Sequence, residues 1–320
     1  MNSNLLLKLI HILSSNSRVT TKYLGKELHT SQQNVSYLLK KAQQEGIISS
    51  FETLIDPSRF GYESFIVLLK IKNSSKRTIN KIEKIIMKNN SITGCYLLFG
   101  NFEILLKFTS YNTSSFNKSF KAFLKEIEEV VIDFSILTQI VEYNSTPSYI
   151  SSKRLNETIL NGADRSPISI NPKESKILEL IQDNSRVSSS KIALSIDTTA
   201  KTVISLIKKL EHKEIIKGNL LIYHPESLGI EQYLLFLRVS FNEEEANVVK
   251  FLKTHPNITK IIKVFGNWDM IVQFETFNSL QLQDCLETIK DEFKILNYQY
   301  ITITKRFFYR SMPLLRNLEK

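Results

Sequence analysis

The chain is written twice, and that duplication limits what it can fold into more than any other feature. Asn16-Ser-Arg-Val19 recurs as Asn184-Ser-Arg-Val187, an offset of 168 residues. The same offset carries Ile47-Ile48 onto Ile215-Ile216, Pro57 onto Pro225 and Gly61 onto Gly229. Further on, Phe99-Gly100-Asn101 recurs as Phe265-Gly266-Asn267, with the offset shortened to 166. Landmarks this far apart, kept in order, mark two copies of one multi-domain unit rather than a short solenoid repeat. Between the copies lies a stretch rich in Ser, Asn and Pro, residues 144–172, which reads as a linker. A short helix is expected within it over Lys153 to Leu160.

The first part of each unit has helical spacing. Leu6, Leu9, Ile10 and Leu13 share one face, a polar break follows, and Leu24 and Leu28 mark a second short helix. After Thr30 and Ser31 a third helix turns Val35, Leu38, Leu39 and Ala42 inward, with Ser31 as its cap and Gly46 as its stop. The second copy repeats this with Ile177, Leu178 and Ile181, then Ile192 and Ile196, then Val203, Leu206, Ile207 and Leu210, capped by Asp197 or Thr198. β-prone tails follow at Ile47 to Ile55 and Ile215 to Tyr223. Three short helices, a tight turn before the third and a β tail describe a winged helix-turn-helix. The second part of each unit alternates strand and helix in the order βαββαβ, with Gly-Asn hairpins at 100–101 and 266–267. The expected fold is therefore α+β: two winged helix-turn-helix domains (1–58 and 173–223) alternate with two ferredoxin-like domains (59–143 and 224–310), ahead of a tail at 311–320.

A recognition helix needs an apolar side and a hydrogen-bonding side. The outward set is Ser31, Gln32, Gln33, Asn34, Ser36, Tyr37, Lys40 and Lys41 in the first unit, and Thr198, Thr199, Lys201, Thr202, Ser205, Lys208 and Lys209 in the second. Gln, Asn and Lys can read base edges, whereas Ser, Thr and Lys more often hold phosphates. Two roles stand open for Arg18 and Arg186, before the second helix of each motif: a phosphate contact, or a structural part of the turn. The chain carries 42 Lys and Arg against 32 Asp and Glu, a formal charge of +10. Residues 1–55 hold six basic against three acidic side chains, and residues 171–223 nine against six. That balance favours a polyanion such as double-stranded DNA.

Other classes are thinned out. No apolar run approaches a membrane span, and the N-terminus lacks the pattern of a secretory signal. Two cysteines, Cys95 and Cys285, form neither a disulfide framework nor a CxxC zinc pattern, so a cytoplasmic protein is expected. No nucleotide-loop, nucleophile-elbow or zincin motif is present, and the five histidines lack ligand spacing, so no enzyme, cofactor or metal is expected. The turns Phe99-Gly-Asn-Phe-Glu103 and Phe265-Gly-Asn-Trp-Asp269 have two readings. One is a tight turn with a core aromatic; the other is a small-ligand pocket whose carboxylate meets an ammonium group.

In this order the motifs resemble the Lrp/AsnC regulators. The residues that carry the likeness are Val203-Ile-Ser-Leu-Ile-Lys-Lys-Leu-Glu211 with Ile215-Ile216, Gly61 and Gly229, and Gly266-Asn-Trp-Asp269. The resemblance implies two subunit-like units fused in tandem. It also implies a sequence-specific DNA-binding regulator modulated by an amino-acid-like effector, with Gly100, Asn101, Glu103, Gly266, Asn267, Trp268 and Asp269 as effector contacts. An internal pseudo-dimer is expected, with higher homo-oligomers open. The chain departs from the family pattern in having Leu38 and Leu206 where an Arg is usual, and Glu103 where Asp is favoured. Sirohaem decarboxylases resemble paired units of the same type, so an enzyme on this scaffold is the alternative.

Overall fold

The computed structural model describes residues 3–151, 159–240 and 245–313. In the first unit α1 (Ser3–Ser15), α2 (Thr21–Glu27) and α3 (Gln32–Gln44) lead into β1 (Ile48–Ile55). Then come β2 (Glu63–Ile71), α4 (Lys76–Ile86), β3 (Ile92–Phe99), β4 (Ile104–Ser110), α5 (Thr113–Ile127) and β5 (Val131–Asn144). The connecting segment contributes β6 (Ile159–Gly162), paired with the end of β5, where a linker without strands was expected. The helix expected over Lys153 to Leu160 falls, up to residue 158, outside the described residues.

The second unit repeats the order with α6 (Pro172–Gln182), α7 (Ser189–Ser195), α8 (Ala200–His212) and β7 (Ile216–Tyr223). Its sheet part is β8 (Glu231–Val239), α9 (Glu245–Thr254), β9 (Ile258–Phe265), β10 (Met270–Thr276), α10 (Leu280–Glu292) and β11 (Ile295–Tyr309). Each helix pair buries one face of its own four-stranded sheet. Phe108, Phe116, Phe120 and Phe123 build the first of these cores, and Leu235, Val272, Phe274 and Ile289 the second.

The last strand of each unit is long enough to serve two sheets. β5 runs beside β2 over residues 131–139 and continues against β9 over 138–144. β11 likewise pairs with β8 and then, from Thr302 to Tyr309, with β3. Because β2 also bonds β5, the strands β2-β4-β3-β11-β8-β10-β9-β5 close on themselves, with β6 as an outlier on β5. A closed ring leaves few sheet edges open to pair with other chains. Its interior is an apolar core drawn from both units, including Ile66, Leu98, Leu137, Leu234, Phe236 and Ile301.

The winged helices share their wings. β1 and β7 pair antiparallel, from Ile48 opposite Tyr223 to Ile55 opposite Ile216. Leu221 and Tyr223 pack into the helical core of the first unit, while Ile55 and Tyr62 pack into that of the second. The tail is tied in as well. Met312 is fully buried in the second winged-helix core, and the Gln182 amide donates to the carbonyls of Met312 and Pro313 at 3.0 and 2.9 Å.

Candidate nucleic-acid interface

The third helix of each motif is capped at equivalent places. Ser31 Oγ accepts from Asn34 N at 3.1 Å, and Thr199 Oγ1 accepts from Thr202 N at 3.1 Å. Each cap satisfies one amide that the helix itself cannot, worth about 1 kcal/mol. The expected cap of the second unit, Asp197 or Thr198, is corrected to Thr199. Asp197 instead takes a left-handed backbone at φ 47°, as His29 does at φ 51° one repeat earlier, and these residues make the tight turn. Asp and His accept that conformation more readily than branched residues do. Gly25 allows the first turn to close, since a Cβ there would lie 2.9 Å from the carbonyl oxygen of Thr30.

With Val35, Leu38, Leu39 and Ala42 buried, α3 leaves Gln32, Gln33, Ser36, Tyr37 and Lys40 exposed and Asn34 and Lys41 half-buried. Within this set, Gln32 donates to Thr21 Oγ1 at 3.0 Å and Asn34 to Thr30 Oγ1 at 2.8 Å, while Ser36 Oγ donates back to the Gln32 carbonyl. The helix α8 buries Val203, Ile207 and Leu210, and leaves Lys201, Thr202, Ser205, Lys208 and Lys209 exposed. Lys209 Nζ also sits 3.0 Å from Glu174, so one predicted cation is held by its own domain. Apolar side chains reach this surface too: Tyr37 is 58% exposed, Ile204 48% and Leu194 86%. Base methyls and sugar faces are suitable partners for such groups.

Of the repeated arginines, Arg186 does something else. Arg186 Nη1 donates to the carbonyls of Ser17 and Val19 in the other unit, at 2.6 and 3.0 Å. Its guanidinium lies 5.2 Å from the Phe51 ring centre, and burial lowers its pKa. Burial lowers the pKa of Arg18 as well, with Glu211 opposing the shift. The structure therefore places Arg186 in the joint between the winged helices and not on an outward face, which corrects the phosphate role. The acceptors that fix this role lie in the other unit, where no local sequence signal points to them.

The Gly-Asn hairpins face the opposite unit. A Cβ on Gly266 would lie 2.6 Å from Leu137 Cδ2, and one on Gly100 3.1 Å from Ile301 Cγ2. Both glycines have positive φ, 148° and 159°, so space and conformation select the same residue. Glu103 accepts from Ile71 N at 2.8 Å, and Asp269 accepts from Val239 N at 2.7 Å. Trp268 leans on Phe236 in the inter-sheet core, whereas Phe99 and Phe265 are 77% and 76% exposed. Asn101 and Asn267 are exposed at the turn tips. The two hairpin carboxylates are thus occupied in fixing strand ends. Among the described residues, no group of three or more His, Cys, Asp and Glu is placed to hold a metal ion. No described helix is long and apolar enough to cross a membrane.

A family model described as winged helix-turn-helix DNA-binding matches residues 3–49 and again 170–217. The HTH-type transcriptional regulator Ptr1 of Methanocaldococcus jannaschii is 32% identical over 111 residues, covering 32% of this chain and 75% of that protein. Among solved structures, the siroheme decarboxylase NirDL matches 98% of this chain and 96% of its own, with TM-score 0.60 and 12% identity. An AsnC family transcriptional regulator from Agrobacterium tumefaciens matches 47% of this chain and 99% of its own, with TM-score 0.41 and 12% identity.

Proposed function

The chain belongs to the winged helix-turn-helix transcriptional regulators, and we propose that it is two Lrp/AsnC-like units fused in tandem that bind specific sites in double-stranded DNA. The observation that carries the reading is the duplicated recognition helix. Each copy is capped, buries one apolar face, and offers Gln, Ser, Thr and Lys side chains on the other. In this reading Gln32 and Gln33 contact base edges, while Ser31, Ser36, Lys40 and Lys41 of α3 and Thr199, Lys201, Thr202, Ser205 and Lys208 of α8 hold phosphates. The pseudo-twofold arrangement gives two half-sites in inverted orientation. Because α3 and α8 differ in sequence, those half-sites differ as well.

The test is the salt dependence of duplex binding by the full chain. Each phosphate neutralised contributes about 0.9 to the slope of log affinity against log salt. Lys40→Ala and Lys201→Ala should each lower the slope by about one and weaken all sequences alike. A slope near zero would defeat the proposal.

Control by a small effector stays in the proposal on family grounds alone. The hairpin carboxylates Glu103 and Asp269 are bonded to backbone amides, so we assign none of the hairpin residues to an effector. An enzyme on the same scaffold is the second reading, favoured by the whole-chain fold match to a siroheme decarboxylase. A tetrapyrrole absorbance band in the purified chain would support the enzyme.

A further inference from the structure

A cavity of about 90 Å³ lies where strand β7 of the wing pair crosses the open end of the closed sheet. On a measure by which one water occupies about 10–15 Å³, it has room for a molecule of a few heavy atoms. The wall on the wing side is Leu220 to Tyr223, and the sheet side brings Thr259, Lys260, Glu275 and Arg306. Ligand-sized space between two layers is unremarkable. The state of its polar atoms is not.

Glu275, which lines this cavity, and Glu142, which lines the adjoining one, are already satisfied. Glu142, fully buried, accepts from Lys107 at 2.9 Å, from Tyr309 at 2.9 Å and from Asn144 at 3.0 Å, with Lys260 at 3.2 Å. These neighbouring cations outweigh burial and hold its pKa far below the usual carboxylate range. Glu275 accepts from Tyr149, Tyr223, Gln232 and Gln273 at 2.6 to 3.1 Å, four neutral donors. Arg306 is different. Its guanidinium stands 5.5 Å from the Tyr96 ring centre and has no hydrogen bond or ion pair among the described residues. Its Nε is buried without an acceptor, and Thr259 Oγ1, on the same cavity, is likewise buried and unpartnered. Glu275, Glu226 and Glu52 act on Arg306 through space, but none of them reaches its guanidinium with a hydrogen bond or ion pair.

Leaving a buried guanidinium N–H and a buried hydroxyl without acceptors is costly, and an anion that accepts from both removes the cost. We infer that this cavity binds a small carboxylate, held by Arg306 with Thr259 as a second donor. The planar guanidinium fork matches two carboxylate oxygens, which sets this class apart from single-point anions. A ligand there touches the wing through β7 and the sheet ring through β9 and β11. It would therefore couple the DNA-binding layer to the ring. This site is separate from the Gly-Asn hairpins, and its occupancy does not depend on the DNA-binding reading.

The experiment is thermal denaturation of the full chain without DNA, at constant ionic strength, titrated with sodium acetate, propionate or pyruvate. A saturable rise in melting temperature with at least one of the three is expected. Arg306→Gln should abolish the rise while keeping the native circular dichroism spectrum. Thr259→Val should weaken apparent affinity about tenfold, the size of one lost hydrogen bond, and it provides the test if Arg306→Gln does not fold. The inference fails if no carboxylate gives a saturable rise, or if inorganic phosphate gives an equal one. It fails equally if the folded variants respond like the parent chain. None of these outcomes bears on whether the chain binds DNA.

Discussion

Ser17 Oγ lies 2.8 Å from Ser185 Oγ, and both residues are fully buried. They are equivalent residues of the two units, so the bond sits on the pseudo-twofold axis of the winged-helix layer. Around it the pairs repeat with the roles exchanged. Ser17 N donates to Asn219 O at 3.0 Å and Ser185 N to Phe51 O at 2.7 Å, while Asp56 N donates to Ile215 O at 2.9 Å and His224 N to Ile47 O at 2.8 Å. Replacing one serine by alanine strands a buried hydroxyl and should cost about 1–3 kcal/mol. The double variant Ser17→Ala with Ser185→Ala should cost clearly less than the sum of the singles, because no orphan remains. Chemical denaturation of the four chains measures this coupling, and strict additivity would show that the two hydroxyls are not paired.

Arg186 should behave as a structural residue. Arg186→Ala removes two charge-assisted hydrogen bonds to backbone carbonyls across the joint, an expected loss of roughly 1.5–3 kcal/mol in unfolding free energy. Arg186→Lys keeps the charge but not the fork, and should recover only part of that loss. Neither change should alter the salt slope of DNA binding, because no phosphate contact is removed. A slope lowered by about one in Arg186→Ala would return this residue to the phosphate-binding set.

Glu52 supplies a pH dependence. Burial raises its pKa to about 8, against the hydrogen bond from Ser50 that lowers it, while Asp183 adds to the rise and Arg310 and Arg306 oppose it. The folded pKa lies above the unfolded value, so its contribution is complete below the unfolded pKa and declines as pH climbs to the folded one. Between about pH 5 and 8 the chain should therefore lose stability, on the order of 1 kcal/mol per pH unit from this group. Glu52→Gln mimics the neutral form and should flatten that decline while matching the parent near pH 4. Melting curves across this range check it, and parallel profiles for the two chains would count against the buried carboxyl.

Much of the architecture was legible because the repeat supplies a second copy of every signal. The cap at Ser31 shows the point. An offset of 168 carries it onto Thr199, the observed cap, yet local cap chemistry points to Asp197 and Thr198, two and one residues too early. The left-handed turn that consumes Asp197 is a property of the motif, and His29 gave no hint of it in the other copy. The crossing of β5 and β11 between sheets was not legible, since strand partners far apart in sequence leave no local periodicity. Lys107 and Glu142 were missed for a related reason. Each reads as a surface charge until the fold places them 2.9 Å apart, 3% and 0% exposed. The role of Arg186 in the joint is not legible either, because its acceptors are backbone carbonyls that any sequence has.

The central claim is that one chain presents two unlike recognition helices to one DNA site. Selection of bound fragments from a random duplex library, followed by sequencing, tests it most directly. The account predicts an enriched site made of two inverted, non-identical half-sites centred about 10 base pairs, or a multiple of that, apart. It further predicts that Gln32→Ala or Gln33→Ala relaxes preference in one half-site only, by about 1–3 kcal/mol at the affected base pairs. No enrichment over the starting library, or two identical half-sites relaxed together by a single α3 change, would contradict it.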